Sequence, residues 1–295
     1  MNARQICTNT ASLPNFSLDD AIRRVKDLGF HAIELLAFDG ARHSQGRLAG
    51  FWFNRMTEAE KERLFEAIQS FDRVAVHLPF FDLPLFSYDP EMRAFCRQQL
   101  KVGIDGCAFL QAKVAVVHAA SPPSVGCREF WGLMLDTFRE LADYAGERDV
   151  PLGVETGYPN TIKDFTDLIF DVDRPNFGAT IDVGHFRGYQ DHGVKPEDYG
   201  TPSAAERYNN CLIETIAVLK NRNFHFHLHD VRAEDWRDHR AAGRGIVDYP
   251  RLFDTLRAIG YDALLSFELE EPDVIPALKQ SKTFVEGLIQ DRAHS

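Results

Sequence analysis

The chain alternates short β-rich runs with amphipathic helical stretches from one end to the other, and this alternation restricts its fold most. Strands that alternate with helices build βαβ units, and βαβ units build a parallel sheet. Apolar runs place strands near residues 4–8, 30–36, 73–77, 113–118, 150–155, 177–182, 223–229 and 263–269. The helices between them carry start and stop signals. Ser17 precedes Leu18, Ala21, Ile22, Val25 and Leu28 at helical spacing, with Asp19 and Asp20 in the first turn and Gly29 at the stop. Asp89-Pro90 and Thr201-Pro202 each set a capping residue before a first-turn proline. Leu252, Phe253, Leu256 and Ile259 form another stripe, closed by Gly260. An internal echo supports a repeated unit. Leu28-Gly29-Phe30-His31-Ala32-Ile33-Glu34 and Ile259-Gly260-Tyr261-Asp262-Ala263-Leu264-Leu265 both run from a helix end through glycine, an aromatic, a polar residue and alanine into a strand. Eight such units predict an α/β fold, a (β/α)8 TIM barrel of about 250 residues plus long loops. No low-complexity linker divides the chain, so residues 1–295 are expected to form a single TIM-barrel domain.

Two loops exceed the usual few residues. Residues 38–56 hold Arg42, His43, Arg47, Phe51, Trp52 and Phe53; residues 184–202 hold His185, Arg187, Tyr189, His192 and Tyr199. Both follow strands, so both belong at the C-terminal mouth, and their aromatic content predicts lids.

Composition narrows the function classes. No stretch approaches the roughly 20 apolar residues of a membrane span. The start, Met-Asn-Ala-Arg-Gln-Ile-Cys-Thr, lacks the apolar run of a signal peptide, which predicts a cytoplasmic protein. Lys and Arg total 33 against 44 Asp and Glu, a net charge of −11 that disfavours nucleic acid and anionic lipid as partners. Cys7, Cys96, Cys107, Cys127 and Cys211 are odd in number and never in a Cys-x-x-Cys pair, so neither a disulfide framework nor a zinc ribbon fits. A homo-oligomer is compatible with all of this.

Chemistry collects at the strand ends, where a barrel carries its catalytic groups. His77, His118, Glu155, Asp182, His227 and Glu268 end the third to the eighth strands. One polar strand end is ordinary. Six together would load the mouth with unpaired carboxylates, a heavy penalty that a bound divalent cation removes. On the seventh strand His225, His227 and His229 alternate with Phe224, Phe226 and Leu228, which places three imidazoles on one face. Successive same-face residues stand about 6.6 Å apart, too far for all three to hold one ion. One is expected to ligate, and the others to support it, face substrate or fill the core.

Ile181-Asp182-Val183-Gly184-His185, then His225-Phe226-His227-Leu228-His229-Asp230-Val231-Arg232, then Gly243-Arg244-Gly245-Ile246-Val247-Asp248-Tyr249 resemble the sugar phosphate isomerase/epimerase superfamily of xylose isomerase-like barrels. Gly29-Phe30-His31-Ala32-Ile33-Glu34 is similar too, and the resemblance spans nearly the whole chain. The superfamily includes ketose epimerases, isomerases, inosose and dehydroshikimate dehydratases, and the zinc-dependent apurinic-site endonucleases. The resemblance implies one divalent ion held by Glu155, Asp182, His227 and Glu268. His185 matches a residue that contacts substrate in the epimerases and a further zinc in the endonucleases. His77, His118 and His239 match other endonuclease zinc positions. Arg237 stands where the endonucleases have an aspartate, Arg244 where they have glutamate, and His229 where many members have lysine.

Three carboxylates and an imidazole suit Mn²⁺, Mg²⁺, Co²⁺ or Zn²⁺. Such an ion would polarise the carbonyl of a chelated hydroxy-ketone and stabilise an enediolate. On this reading strands five and eight stand across the barrel, so Glu155 and Glu268 flank the substrate carbon and move its proton, with His185 assisting. Candidate substrate contacts are His77, His118, Glu34, Arg187, Arg232 and His229. The expected function is metal-dependent isomerisation, epimerisation or dehydration of a sugar, cyclitol or related hydroxy-ketone. The alternatives are a zinc endonuclease at abasic DNA, with second or third ions on His77, His118, His185 and His239, and a non-catalytic metal-bound barrel that binds carbohydrate.

Overall fold

A computed structural model describes residues 1–43, 45–119 and 126–290. Eight parallel strands carry the site: β1 (Ile6–Thr8), β2 (Ala32–Leu36), β3 (Arg73–His77), β4 (Ala115–Val117), β5 (Leu152–Glu155), β6 (Phe177–Asp182), β7 (Asn223–Leu228) and β8 (Leu265–Phe267). A long helix follows each: α1 (Leu18–Asp27), α2 (Glu58–Ile68), α3 (Pro90–Phe109), α4 (Trp131–Gly146), α5 (Ile162–Val172), α6 (Pro202–Leu219), α7 (Tyr249–Ala258) and α8 (Val274–Gln290). Hydrogen-bonded ladders run from β1 through β8 and back down to β2. A single parallel bridge, Asn9 to Glu34, lies across the remaining seam between β1 and β2. The result is the predicted (β/α)8 barrel, closed all but completely.

Local signals act as the sequence suggests. Ser17 Oγ accepts the Asp20 amide at 3.1 Å, Asp89 accepts from Glu91 at 2.8 Å, and Thr201 accepts from Ala204 at 3.2 Å. Each satisfies a donor that the first turn leaves free. The echoed glycines, Gly29 and Gly260, take φ of 75° and 69°, the left-handed turn that ends a helix and starts the next strand. Several strands are shorter than predicted. Ala3–Gln5 form a 3-10 turn, Pro151 has no N–H for a ladder, and His118 and Glu268 fall one residue beyond β4 and β8. That position frees both side chains to lean into the mouth.

The barrel interior is layered. Cys7, Ala32, Ala75, Val114 and Leu264 form an apolar plug at the N-terminal end, with Phe224 against it. Polar groups occupy the layers above. Among the described residues, no helix is long and apolar enough to cross a membrane.

Candidate functional site

Parallel register brings the strand ends together. Asp182 of β6 pairs with His227 of β7, and His227 pairs in turn with Ser266 of β8. One ligand atom each from Glu155, Asp182, His227 and Glu268 lies within 4.8 Å of the others. His227 Nδ1 is 3.0 Å from both Glu155 Oε1 and Glu268 Oε2. Glu155 and Glu268 are therefore neighbours over one imidazole rather than opposed across the bore, because the strand ends converge and Glu268 leans in from beyond β8. Two further donor groups adjoin this one: His77 and His118 with Glu155, and His185 and His239 with Asp182.

Backbone contacts select the tautomer of three of the histidines. His77 Nδ1 donates to the Leu78 carbonyl at 2.9 Å, and His185 Nδ1 donates to the Thr156 carbonyl at 2.8 Å. His185 so keeps its Nε2 lone pair free for a ligand, whereas His77 Nε2 already faces Glu155 Oε2 at 3.2 Å. His229 is the reverse: its Nδ1 accepts the His239 amide at 2.9 Å, so its Nε2–H donates to Asp182 at 2.8 Å. An imidazole so placed orients a carboxylate and cannot ligate through that nitrogen. Thus the three same-face histidines of β7 and its exit meet different partners, His225 facing Glu34, His227 the central set, and His229 Asp182.

Burial opposes ionisation at Glu155, Asp182, Glu268, His227 and His239, and the polar groups that face them override it. Burial works to raise the carboxyls, yet His118 and His227 hold Glu155 well below the usual carboxylate range, and His185 and His229 do the same for Asp182. Glu268 is also lowered against burial, by His227. Although burial disfavours its charge, His227 is raised well above an ordinary imidazole by Glu34, Glu155 and Glu268. Burial likewise opposes His239, which Asp238 and Asp182 raise to about 9. Two buried carboxylates, one partly buried carboxylate and a converging imidazole are a donor set that fits a hard or borderline divalent cation.

The other predicted residues are placed as follows. Glu34 is fully buried, bonded to His225 and His227, and outside the cavity lining, so burial puts it beyond reach of a substrate. His229 is buried as well. Arg187 stands at the rim of a neighbouring cleft, paired with Asp238 at 2.6 Å. Arg232 is about half exposed and paired with Asp235, away from the cavity. The cavity, of about 170 Å³, is lined by the polar groups of His118, Glu155, His185, His239 and Glu268. Ala11, Leu36, Phe38, Leu48, Phe80, Phe81 and Leu269 supply its apolar lining, Phe80 packing on His118 at 4.5 Å between ring centroids, and Gln45 and Glu270 complete it. Sequence reasoning passed over Phe80 and Phe81, although they follow His77 by three and four residues, where a βα loop meets the mouth.

The first long loop contributes Phe38, Gln45 and Leu48 to the cavity, and its residues Arg42–His43 and Gly46–Arg47 pair as a small hairpin; Ser44 lies outside the described residues. The second is packed down rather than free to open. Tyr199 stacks on Trp236 at 4.6 Å, His192 donates to the Phe186 carbonyl, and Tyr189 is buried. Its aromatic residues serve the core.

The quoted motifs gain physical reasons. Asp182 Oδ1 accepts the amides of Gly184 and His185, both at 2.9 Å, which folds the exit of β6 back over the carboxylate. A Cβ on Gly184 would fall inside the imidazole of His229. Gly184→Ala should therefore displace His229 from Asp182 and cost about 1–3 kcal/mol by overpacking, measured by denaturant unfolding. Asp230 Oδ1 accepts the amides of Val231 and Val247, and a Cβ on Gly245 would meet that carboxylate, so the glycine lets the loop close.

The sequence profile of the Xylose isomerase-like TIM barrel family matches residues 22–288. The chain belongs to that family. It is 26% identical over 226 residues to the uncharacterized protein MJ1311 of Methanocaldococcus jannaschii, covering 73% of this chain and 70% of that one. Its fold is similar to a D-tagatose 3-epimerase-like protein, with a TM-score of 0.72, 19% identity, and 97% and 99% of the two chains covered. It is equally similar to an IOLI protein with a binding zinc atom, with a TM-score of 0.72, 19% identity, and 96% and 98% covered.

Proposed function

We propose that this barrel moves a proton on a carbon beside a carbonyl, epimerising, isomerising or dehydrating a neutral sugar or cyclitol. The observation that carries the reading is a pair of anionic carboxylates, Glu155 and Glu268, that line one cavity over a shared metal-type donor set. Glu155, Asp182, His227 and Glu268 would hold one divalent ion of the Mn²⁺, Mg²⁺, Co²⁺ or Zn²⁺ kind. Bound there, the ion would polarise the substrate carbonyl and offset negative charge as the neighbouring C–H is broken. Glu268 is the freer base, with 19% of its side chain exposed, and it takes the carbon-bound proton. Glu155, held by His77, His118 and His227, would receive a proton through the partly exposed His118 and return it to the carbon, while Glu268 releases its own to solvent. His185, with a free Nε2 in the cavity, exchanges a proton with a substrate oxygen.

The apolar wall and the lack of any lysine or arginine among the described lining residues favour an uncharged substrate over a phosphate or carboxylate. Names such as D-tagatose 3-epimerase among proteins of similar fold agree with a free ketose. In this reading the whole barrel is one catalytic domain.

The test is solvent exchange. Neutral ketohexoses, inososes, a ketose phosphate and dehydroshikimate are incubated with the Mn²⁺-loaded protein in heavy water and followed by NMR. Deuterium should enter the carbon beside the carbonyl of a neutral compound; if no compound in the panel exchanges or turns over, the reading fails.

A second reading is favoured by one observation, the two donor groups that adjoin the central set. Together they would hold more than one ion, as the resemblance to apurinic-site endonucleases implies. Against it stand the net charge of −11 and Arg237 in place of an aspartate. Metal-dependent nicking of an abasic duplex at a low enzyme-to-DNA ratio would reverse the ranking.

A further inference from the structure

Beneath the central set, and outside the cavity, lies a second buried cluster in which Glu34 stands between two imidazoles. Glu34 Oε1 is 3.0 Å from His227 Nε2, and Oε2 is 3.0 Å from His225 Nε2. All three side chains have no exposure. An ionised carboxylate only accepts, so both imidazoles must present N–H groups to it. For His227 this fixes the proton on Nε2. The lone pair of a neutral His227 is then on Nδ1, the atom that faces Glu155 and Glu268. His225 satisfies the other carboxylate oxygen, and its own Nδ1 has no hydrogen-bond partner among the described residues.

Glu34, His225 and His227 are themselves grouped closely enough to suggest a separate ion. The chemistry argues otherwise. An ion there and another in the central set would each need a lone pair from His227, one on each nitrogen, which requires the ring to lose both protons. One imidazole with one proton serves both clusters without that loss.

We propose that Glu34 is a positioning residue: it accepts the Nε2 proton of His227 and so turns the Nδ1 lone pair toward Glu155, Asp182 and Glu268. This rests on the proposed metal set and adds a residue that touches neither substrate nor ion. A carboxylate behind a ligating imidazole orients the ring and raises its basicity, and its loss weakens metal affinity by about 10–100-fold.

The test uses the full chain with Zn²⁺ alone, measured by chelator competition and by NMR of protein labelled with ¹⁵N-histidine. Wild type should bind Zn²⁺ through His227 Nδ1, with a protected Nε2–H. Glu34→Gln should fold, lose about 10–100-fold in affinity, keep the same stoichiometry, and lose or shift the His227 Nε2–H signal. A merely structural role would leave that signal in place. If Glu34→Gln does not fold, Glu34→Asp carries the test: it keeps the charge but withdraws the oxygens by one carbon, and should weaken affinity and exchange protection together. Unchanged affinity and an unchanged His227 signal would overturn the proposal, as would Zn²⁺ on Nε2 or the loss of one whole equivalent of Zn²⁺ with Glu34. Failure of wild type to bind Zn²⁺ would overturn the metal reading first and this proposal with it.

Discussion

Asp182→Asn and His227→Ala should each lose at least about 100-fold in affinity for Mn²⁺ or Zn²⁺, read as metal content after stoichiometric reconstitution and desalting. Asparagine is the sharper choice at position 182. Its oxygen can still accept the amides of Gly184 and His185, so the turn after β6 survives while the charge is removed. His227→Ala takes away the only nitrogen donor of the central set and leaves Glu155 and Glu268 facing each other without the imidazole between them. Full metal content in both variants would place the ion elsewhere.

The second large effect concerns the proton. Glu268→Gln should slow solvent exchange and turnover by about 10²–10⁴-fold, the usual contribution of a positioned general base. Glu155→Gln should be at least as severe, because it removes a metal-type donor as well as the carboxylate that His77, His118 and His227 all face. The two are told apart by metal content, which Glu268→Gln should reduce less. Wild-type rates in both metal-loaded variants would rule out either glutamate as the base and pass the role to His185.

Much of this architecture was readable in one dimension because it depends on local rules. A capping side chain, a left-handed glycine and an apolar stripe each act within a turn or two, so all eight strands could be placed and the echo at Gly29 and Gly260 understood before any tertiary contact was known. The six strand-end ligand types were equally legible, since the end of a parallel strand in a barrel points to the same mouth whatever the helices do. Phe80 and Phe81 were harder. Phenylalanine near a strand exit is as often core as cavity wall, and nothing local distinguishes the two. The loop at 184–202 misled for the same reason: its aromatic residues suggested a lid, and Trp236, some 40 residues on, turned them into packing.

The clearest division falls on β7. Sequence alone determined that His225, His227 and His229 share a face, because strand periodicity is a property of the backbone. It determined too that they could not all meet one ion, from the rise per residue. Only the tertiary structure decided which carboxylate each would meet. Glu34 arrives from β2, nearly 200 residues away in the chain, Glu155 and Glu268 from β5 and the exit of β8, and Asp182 from the paired strand β6. The barrel's closure and register set those distances, and a proton's place on an imidazole follows from the partner it finds there.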